Sequence, residues 1–356
     1  MRVLIYGAGA IGAWLAAGLA KAGHEITCIA RQSFIDSVRH RGLHIEQPDG
    51  TITSVSAIKA YASLAQLNNE TALKFADFGN VLICVKAYSM QVAIAELSEW
   101  RQYSDVTHNA SPLFVCLQNG VGSDGIAVDA FGSDHVVAAT TTIPISIQAP
   151  SVFKVERSGG AICIAPCGSS DTAPLVSLLR DVGPLVKVYA DHRSLRWSKL
   201  LLNIMGNASS AILDMPVDAI YRDWRTYRIE LAMLNECMEV VEHLGVHFTN
   251  LPSYPAATFA WALKAIPAFL LQPVLRHQIA KGRGSKRPSL QYDVMNHSGR
   301  SEIDWLNGAV FRYGKAIGVH TPVNEMLTRV LDNIVTKRDT QAEWRGNISR
   351  LMLDAR

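Results

Sequence analysis

The chain has 356 residues, of which 49% are apolar and 18% charged, and its formal net charge is +3. This length and composition favour two folded domains with sizeable cores, exclude wholesale disorder, and give no reason to expect nucleic-acid binding. No apolar run is long enough to cross a membrane, because Lys264, Pro267 and Pro273 interrupt the nearest candidate, residues 256–275. The chain starts directly with an apolar strand pattern, so we expect a cytoplasmic protein without a signal peptide.

The cysteines lie mostly inside apolar runs of strand character. Cys163 and Cys167 are four residues apart, but no other Cys or His group completes a set of metal ligands. We therefore expect reduced, buried thiols and no metal site. The six residues are Cys28, Cys84, Cys116, Cys163, Cys167 and Cys237.

The start of the chain carries the clearest local pattern. A charge-free apolar run at residues 3–6 precedes Gly7, Gly9 and Gly12 in G-x-G-x-x-G spacing, and a helical pattern and a second apolar run follow. This order is typical of a dinucleotide site, where the glycines permit a tight turn and a close approach of the backbone to the pyrophosphate. The phosphates would lie on N–H groups at the helix N-terminus. The alternative is a glycine-rich turn that binds nothing.

The end of the second apolar run indicates which cofactor would bind. Arg31 and Gln32 stand there, and the next acidic residue is Asp36. An acidic residue would bond the ribose hydroxyls of NAD, whereas an arginine offers donors suited to a 2′-phosphate. Arg31 therefore favours NADP(H), unless it is only an exposed charge at a strand end.

Strand-like and helical patterns then alternate up to about residue 190, which predicts a doubly wound sheet. Ligands of such sheets bind beyond the carboxyl ends of the strands, where Lys86 and Asn119 follow two apolar runs. We predict a hairpin at residues 43–59 around Asp49-Gly50, strands at 81–85, 113–117 and 136–147, a second hairpin at 152–155 and 161–164, and a helix at 174–180.

Helical periods replace the strand patterns after Asp191, which predicts an all-helical second domain over residues 191–356. We expect helices at residues 194–205 and 224–244, and further helical stretches at 288–318 and 324–334. Residues 264–300 hold seven Lys and Arg against one acid, Asp293. This stretch is either a positive wall for an anionic substrate or for cofactor phosphates, or a solvated loop.

Three polar residues at helical spacing suggest a reaction site. Lys199, Asn203 and Asn207 follow one another at i, i+4 and i+8, so one continuous helix would place them on one face. Buried polar groups need partners, and a substrate would supply them. A lysine there could also act as an acid in the reduction of a ketone. The alternative is a solvent-facing stripe.

Two further residues are weaker candidates on spacing alone. Glu302 could pair with Lys199 or accept a hydroxyl of the substrate, and Ser289 could donate to a carboxylate. Either could instead be a helix cap or an exposed residue.

Motifs spread over nearly the whole chain resemble the ketopantoate reductase (2-dehydropantoate 2-reductase) family. The matching pieces are GAGAIG at 7–12, Arg31, VKA at 85–87, LQNGVG at 117–122, TTT at 140–142, WSKLLLN at 197–203 with Asn207, PSLQYD at 288–293 and SEIDWLNG at 301–308. The resemblance implies a Rossmann domain at residues 1–190, a helical substrate and catalytic domain at 191–356, and NADPH-dependent reduction of 2-dehydropantoate to (R)-pantoate in pantothenate synthesis.

The resemblance also implies roles for single residues. Lys199 would be the proton donor. The cofactor would be bound by Gly7, Ala8, Gly9, Ala10, Ile11, Gly12, Arg31, Lys86, Asn119, Glu302 and the backbone near Ile145. The substrate would be bound by Lys199, Asn203, Asn207, Ser289 and Asn119.

The chain departs from the family pattern in its substrate half. Val217 and Lys286 stand where members commonly have an Asn, and residues 251–287 are longer than in compact members. Alternatives to a 2-dehydropantoate reductase are therefore a reductase of another small anionic 2-oxo acid, a related β-hydroxyacid dehydrogenase, and a redox-sensing NADP-binding protein without turnover. The helical domain could also carry a homodimer interface.

Overall fold

The computed structural model describes residues 1–102, 111–283, 287–297 and 299–354, and of residues 278–283 only the helical backbone. The chain divides into two compact units. Unit 1 comprises residues 1–118 and 123–195, and unit 2 comprises residues 119–122 and 196–356. The functional boundary expected between residues 190 and 191 stays a prediction.

Unit 1 is an α/β structure built on an eight-stranded sheet with the strand order β12-β11-β8-β7-β6-β1-β2-β5, and it carries a four-stranded sheet with the order β4-β3-β10-β9. The strands are β1 (Arg2–Tyr6), β2 (Glu25–Ile29), β3 (Leu43–Glu46), β4 (Ile52–Val55), β5 (Ile58–Tyr61), β6 (Asn80–Ile83), β7 (Leu113–Cys116), β8 (Val136–Thr141), β9 (Ile145–Ala149), β10 (Val152–Val155), β11 (Ala161–Pro166) and β12 (Leu185–Val188).

The central strands of the large sheet are parallel and buried on both faces. β1 pairs in parallel with β2 and β6, and β6 pairs in parallel with β7. Val3, Leu4 and Ile5 of β1 are fully buried. Strands covered on both faces read as continuous apolar runs, so the sequence could predict them. The doubly wound sheet is confirmed.

The predicted hairpin around Asp49-Gly50 is confirmed, because β3 and β4 pair as antiparallel strands. The predicted hairpin around Gly159-Gly160 is wrong. β10 pairs with β9 and β3 in the small sheet, whereas β11 pairs with β8 and β12 in the large sheet. Gly159 and Gly160 take positive φ angles of 81° and 95° in the connection between β10 of the small sheet and β11 of the large sheet. The strand predicted at residues 136–147 divides into β8, which belongs to the large sheet, and β9, which belongs to the small sheet.

The helices of unit 1 are α1 (Ala10–Lys21), α2 (Gln32–Arg41), α3 (Leu64–Glu70), α4 (Met90–Gln102), α5 (Ser123–Phe131) and α6 (Ala173–Arg180). The next helix, α7 (His192–Ile204), begins in unit 1 and continues into unit 2. The helix predicted at residues 174–180 is α6.

Unit 2 is helical throughout its described residues, apart from short turns and one isolated bridge. Its remaining helices are α8 (Asn207–Leu213), α9 (Val217–Arg222), α10 (Trp224–His243), α11 (Ala256–Ala265), α12 (Ala268–Arg283), α13 (Ser289–Met295), α14 (Asn307–Ile317), α15 (Pro322–Val335), α16 (Gln341–Trp344) and α17 (Ile348–Asp354). The helical stretch expected over residues 288–318 contains α13, a 3-10 turn at Ile303–Trp305, and α14. The described part of the long segment at residues 251–287 contains the helices α11 and α12.

Apolar side chains from most of these helices form one core in unit 2. Trp197, Tyr221 and Tyr227 are its largest fully buried members. None of the helices in the described part of the chain has the length and apolar character needed to cross a membrane. The six cysteines are free thiols, and burial raises the pKa of Cys28 to about 12.

Candidate functional site

The glycine-rich turn of unit 1 lies between β1 and the N-terminus of α1. Gly7 has a φ of 103°, and a Cβ atom there would lie 2.8 Å from the Val85 backbone nitrogen. A Cβ atom on Gly12 would lie 2.1 Å from the Gly7 carbonyl oxygen. Both positions therefore require glycine to keep the turn and the helix this close together.

The second glycine of the motif faces open space. A Cβ atom built on Gly9 would meet no atom within 4 Å, and Gly9 caps α1 without a side-chain hydrogen bond. The first N–H groups of a helix have no partner within the helix, and the helix dipole favours an anion beside them. The turn therefore fits a pyrophosphate group.

The other predicted cofactor residues of unit 1 lie at strand ends. Arg31 is exposed and caps α2, directly after β2 and Ala30. Lys86 is exposed and follows β6. Gln118 ties this region together, because its Nε2 atom donates to the carbonyl oxygens of Ile83 and Val85 at 2.8 and 3.1 Å. Ile145 begins β9 in the small sheet, and its side chain is buried.

Asn119 belongs to unit 2, although it follows β7 in the chain. Gly120 has a φ of 87°, and a Cβ atom there would lie 2.2 Å from the Trp305 carbonyl oxygen. The Val121 N–H donates to that same oxygen at 3.0 Å. These contacts hold Asn119, which is exposed, next to the SEIDWLNG segment.

Helix α7 carries the predicted proton donor. Asp191 precedes the helix and accepts hydrogen bonds from the Arg193 N–H and from the Ser194 N–H and Oγ. Burial by itself raises the pKa of Asp191, but the hydrogen bonds from Ser194 and Arg193 bring it below its ordinary value. Lys199 lies in the buried part of the helix and is only 6% exposed.

The spacing predicts that Asn203 and Asn207 share one face of a continuous helix, but the structure places them on two separate helices. α7 ends at Ile204, Gly206 adopts a left-handed φ of 61°, and α8 begins at Asn207. The residues still meet, because Asn207 Nδ2 donates to the Asn203 carbonyl oxygen at 3.1 Å. Asn203 Nδ2 in turn lies 3.4 Å from Asn119 Oδ1.

Ser289 joins this polar group from α13. Its Oγ atom accepts a hydrogen bond from Asn207 Nδ2 at 3.2 Å, and Asn207 Oδ1 accepts one from the Leu290 N–H at 3.1 Å. The structure therefore brings together Asn119, Asn203, Asn207 and Ser289. We call these four residues the amide cluster.

A buried carboxylate holds the turn between α7 and α8. Glu230 of α10 is fully buried and accepts hydrogen bonds from the Gly206 N–H at 2.6 Å, Ser209 Oγ at 2.6 Å and Tyr221 Oη at 2.9 Å. A Cβ atom on Gly206 would lie 2.4 Å from Val217 Cγ1, so the turn has no room for a larger residue. A carboxyl group that accepts from several donors in a dry interior is held firmly in one position.

Glu302 is buried, with only 2% of its surface exposed, and precedes the 3-10 turn. Its backbone N–H donates to Asp293 Oδ2 at 3.2 Å, and Ser301 Oγ lies 3.4 Å from the same oxygen. The expected pairing of Glu302 with Lys199 stays a prediction.

Parts of the basic stretch are neutralised by acids. Arg276 pairs with Asp218 at 2.8 Å, and Lys264 pairs with Glu242 at 2.6 Å. These two ion pairs neutralise part of the positive charge, which argues against a continuous positive wall. Lys286 lies outside the described residues.

Sequence reasoning missed two residues beside the predicted site. Glu230 is a charged residue on the buried face of a long helix, one turn before the buried Leu234, and this pattern was a usable signal. Tyr254 lies in a loop 55 residues after Lys199 in the chain. Lys199 Nζ nevertheless lies 3.7 Å from the centroid of the Tyr254 ring. No local pattern indicates that contact.

The fold and the arrangement of polar residues define a class, an α/β protein with a Rossmann-like first unit and a helical second unit. The chain belongs to the ketopantoate reductase PanE/ApbA family. The family model described as "Ketopantoate reductase PanE/ApbA" matches residues 3–167, and the model of its C-terminal part matches residues 191–335.

Several relatives are similar over almost their full length. The 2-dehydropantoate 2-reductase of Aquifex aeolicus is 24% identical, over 93% of this chain and 96% of its own. That of Mesorhizobium japonicum is 26% identical, over 95% and 99%. A solved PanE/ApbA family ketopantoate reductase from Ralstonia eutropha JMP134 is 26% identical over 95% and 99%, with a TM-score of 0.77.

The fold also resembles that of D-mandelate dehydrogenase, solved with NADH and anilino(oxo)acetate. The TM-score is 0.75, at 18% identity over 95% of this chain and 99% of that one. This likeness concerns the fold alone.

The contacts of Glu230 predict its contribution to stability. Glu230→Gln should lower the free energy of unfolding by about 2–4 kcal/mol, because an amide cannot accept from all the donors around it. Tyr221→Phe removes one donor only and should cost about 1 kcal/mol. Urea unfolding followed by tryptophan fluorescence measures both, since five of the seven tryptophans lie in unit 2. Equal losses for the two variants would contradict the role given to the carboxylate.

Proposed function

We propose that this protein uses NADPH to reduce 2-dehydropantoate to (R)-pantoate, with Lys199 as the proton donor. The observation that carries the proposal is the position of Lys199. This buried lysine lies on α7 one helical turn before Asn203, which belongs to the amide cluster. The relatives named 2-dehydropantoate 2-reductases support the same reaction.

A nicotinamide ring supplies a hydride when it is bound. Addition of hydride to a ketone leaves negative charge on the carbonyl oxygen, and an acid must neutralise it. Lys199 would donate a proton from Nζ to this oxygen and later regain one from solvent. Asn203, Asn207 and Ser289 would orient the substrate, because they offer amide and hydroxyl groups but no acid of suitable strength.

The residues of unit 1 would hold the cofactor. Residues 7–12 offer the backbone N–H groups for the pyrophosphate, and Arg31 would hold the 2′-phosphate of NADPH. The family resemblance implies cofactor contacts for Lys86, Ile145, Asn119 and Glu302 as well. The preference for NADPH over NADH rests on Arg31.

A second candidate is a reductase of another small 2-oxo acid. Val217 is buried, and its side chain lies against Gly206. Gly206 is the residue of the turn between Asn203 and Asn207. Family members commonly have an asparagine at this position, and an apolar side chain cannot bond a substrate hydroxyl. The pocket would then still bind the 2-oxo carboxylate but recognise the far end of the substrate less strictly.

The cofactor assignment predicts that Arg31→Ala weakens NADPH binding far more than NADH binding. A charge-assisted contact with phosphate is worth about 1.5–3 kcal/mol, which is about a tenfold to hundredfold loss of affinity. Arg39→Ala is the matched control, because Arg39 is exposed in the last turn of α2. Fluorescence titration with both cofactors measures the effect, and equal losses for NADPH and NADH would refute the assignment.

The character of Val217 predicts weak discrimination at the 4-hydroxyl of the substrate. We expect the ratio of kcat/KM for 2-dehydropantoate and for the same acid without this hydroxyl to stay well below about 10⁴, the value for sites built to bond a hydroxyl. Steady-state kinetics with the two acids gives the ratio. A ratio above that value would show that another residue reads the hydroxyl.

The role of Lys199 predicts that Lys199→Met lowers kcat by about 10²–10⁴, the usual share of a general acid. Methionine keeps most of the side-chain volume, and NADPH affinity should barely change. Lys264→Met is the control, since Lys264 pairs with Glu242 at the surface of the same unit. Steady-state kinetics and a separate NADPH titration test both variants. A Lys199→Met enzyme with near-normal kcat would mean that the proton comes from elsewhere.

A further inference from the structure

An aromatic ring covers the ammonium group of Lys199. Lys199 Nζ lies 3.7 Å from the centroid of the Tyr254 ring, well within the distance for a cation–π interaction. Lys199 is only 6% exposed, so little water screens this contact. Such contacts are stronger where the cation has been removed from water.

The loop that carries Tyr254 is fixed at both ends. Leu251 and Tyr254 exchange two backbone hydrogen bonds of 2.8 Å across a tight turn, in which Ser253 has a positive φ of 64°. The side chain of Asn250 caps the following helix, because its Oδ1 atom accepts from the Ala257 and Thr258 N–H groups. The ring is therefore presented by an ordered turn.

The same loop is attached to α7 beside the lysine. The Thr249 N–H donates to Ser198 Oγ at 2.8 Å, and Ser198 is fully buried. Ser198 directly precedes Lys199, so the loop contacts α7 at two consecutive residues. These two contacts fix the ring relative to the ammonium group.

An aromatic ring is a suitable partner for an ammonium group that must give up a proton. Its face attracts the ammonium through the negative charge density of the π system. It contains no basic atom on that face which could take the proton, whereas a carboxylate partner could. A lysine side chain also has much rotational freedom, and a general acid acts well only when it is held in place.

We propose that Tyr254 is a positioning residue that holds the Lys199 ammonium where it can donate its proton. This inference rests on the proposed function, in which Lys199 is the proton donor. Tyr254 lies in residues 251–287, the segment that is longer than in compact family members. This part of the chain therefore contributes to the reaction site through Tyr254.

The test is a double-mutant cycle with Tyr254→Leu, Lys199→Met and the combined variant. Tyr254→Leu keeps an apolar side chain and should lower kcat about fivefold to thirtyfold, the range between an exposed and a desolvated cation–π contact. The KM for NADPH should stay unchanged. In the Lys199→Met background the same substitution should have no further effect, because the ring acts through the lysine.

Two further variants separate positioning from structural support. Tyr254→Phe keeps the ring and should restore kcat to within about twofold of the wild type. Trp261→Leu removes an aromatic ring that is 65% exposed in α11 of the same segment, and it should leave kcat unchanged. Thermal unfolding of each variant reports the stability separately.

Each result has a definite meaning. Near-normal kcat in Tyr254→Leu, or an equal loss in the presence and absence of Lys199, would overturn the positioning role. Near-normal kcat in Lys199→Met would overturn the proposed function itself. A large loss in Lys199→Met together with no loss in Tyr254→Leu would leave the proposed function standing and refute this inference alone.

Discussion

The amide cluster of unit 2 depends on one buried carboxyl group. Glu230 has no exposed surface, yet it accepts hydrogen bonds from the backbone of Gly206 and from two hydroxyl groups. These bonds fix a left-handed turn that separates α7 from α8. Because Asn203 lies before this turn and Asn207 directly after it, the carboxylate sets the distance between the two amides.

The remaining polar residues depend on that turn. Asn207 uses its amide to contact Asn203, Ser289 and the backbone of Leu290. Polar groups in a dry environment are costly unless they are bonded, so this network has few alternative arrangements. Lys199 lies one turn earlier on α7, and the Tyr254 ring covers its ammonium group. Hydrogen bonds and one aromatic contact within unit 2 thus hold the side chains of the proposed site in place.

The sequence allowed prediction of elements whose pattern is local. β1 and β6 are covered on both faces and therefore read as continuous apolar runs, and the glycine spacing at residues 7–12 follows from the close packing of a turn. The prediction of a hairpin around Gly159-Gly160 was wrong because two glycines indicate a turn but do not specify which strands pair on either side of it. The pairing of β10 with β9 and of β11 with β8 depends on distant residues.

The candidate site was predictable in its residue types more than in its geometry. Spacing placed Lys199, Asn203 and Asn207 close together, but helical periodicity does not show that Gly206 interrupts the helix. The contact between Lys199 and Tyr254 joins residues far apart in the chain, and only the fold could reveal it. Glu230 was visible as a charge among apolar neighbours, although its partners were not.

NADPH consumption by the wild-type protein tests most directly whether this chain turns over as a reductase. The absorbance of NADPH should fall when 2-dehydropantoate is added, more slowly with other branched 2-oxo acids, and the product should be (R)-pantoate. A β-hydroxyacid dehydrogenase would instead reduce NADP⁺ in the presence of 3-hydroxy acids. Binding of NADPH without its consumption across all these acids would contradict a reductase function and would favour a sensor of the cofactor.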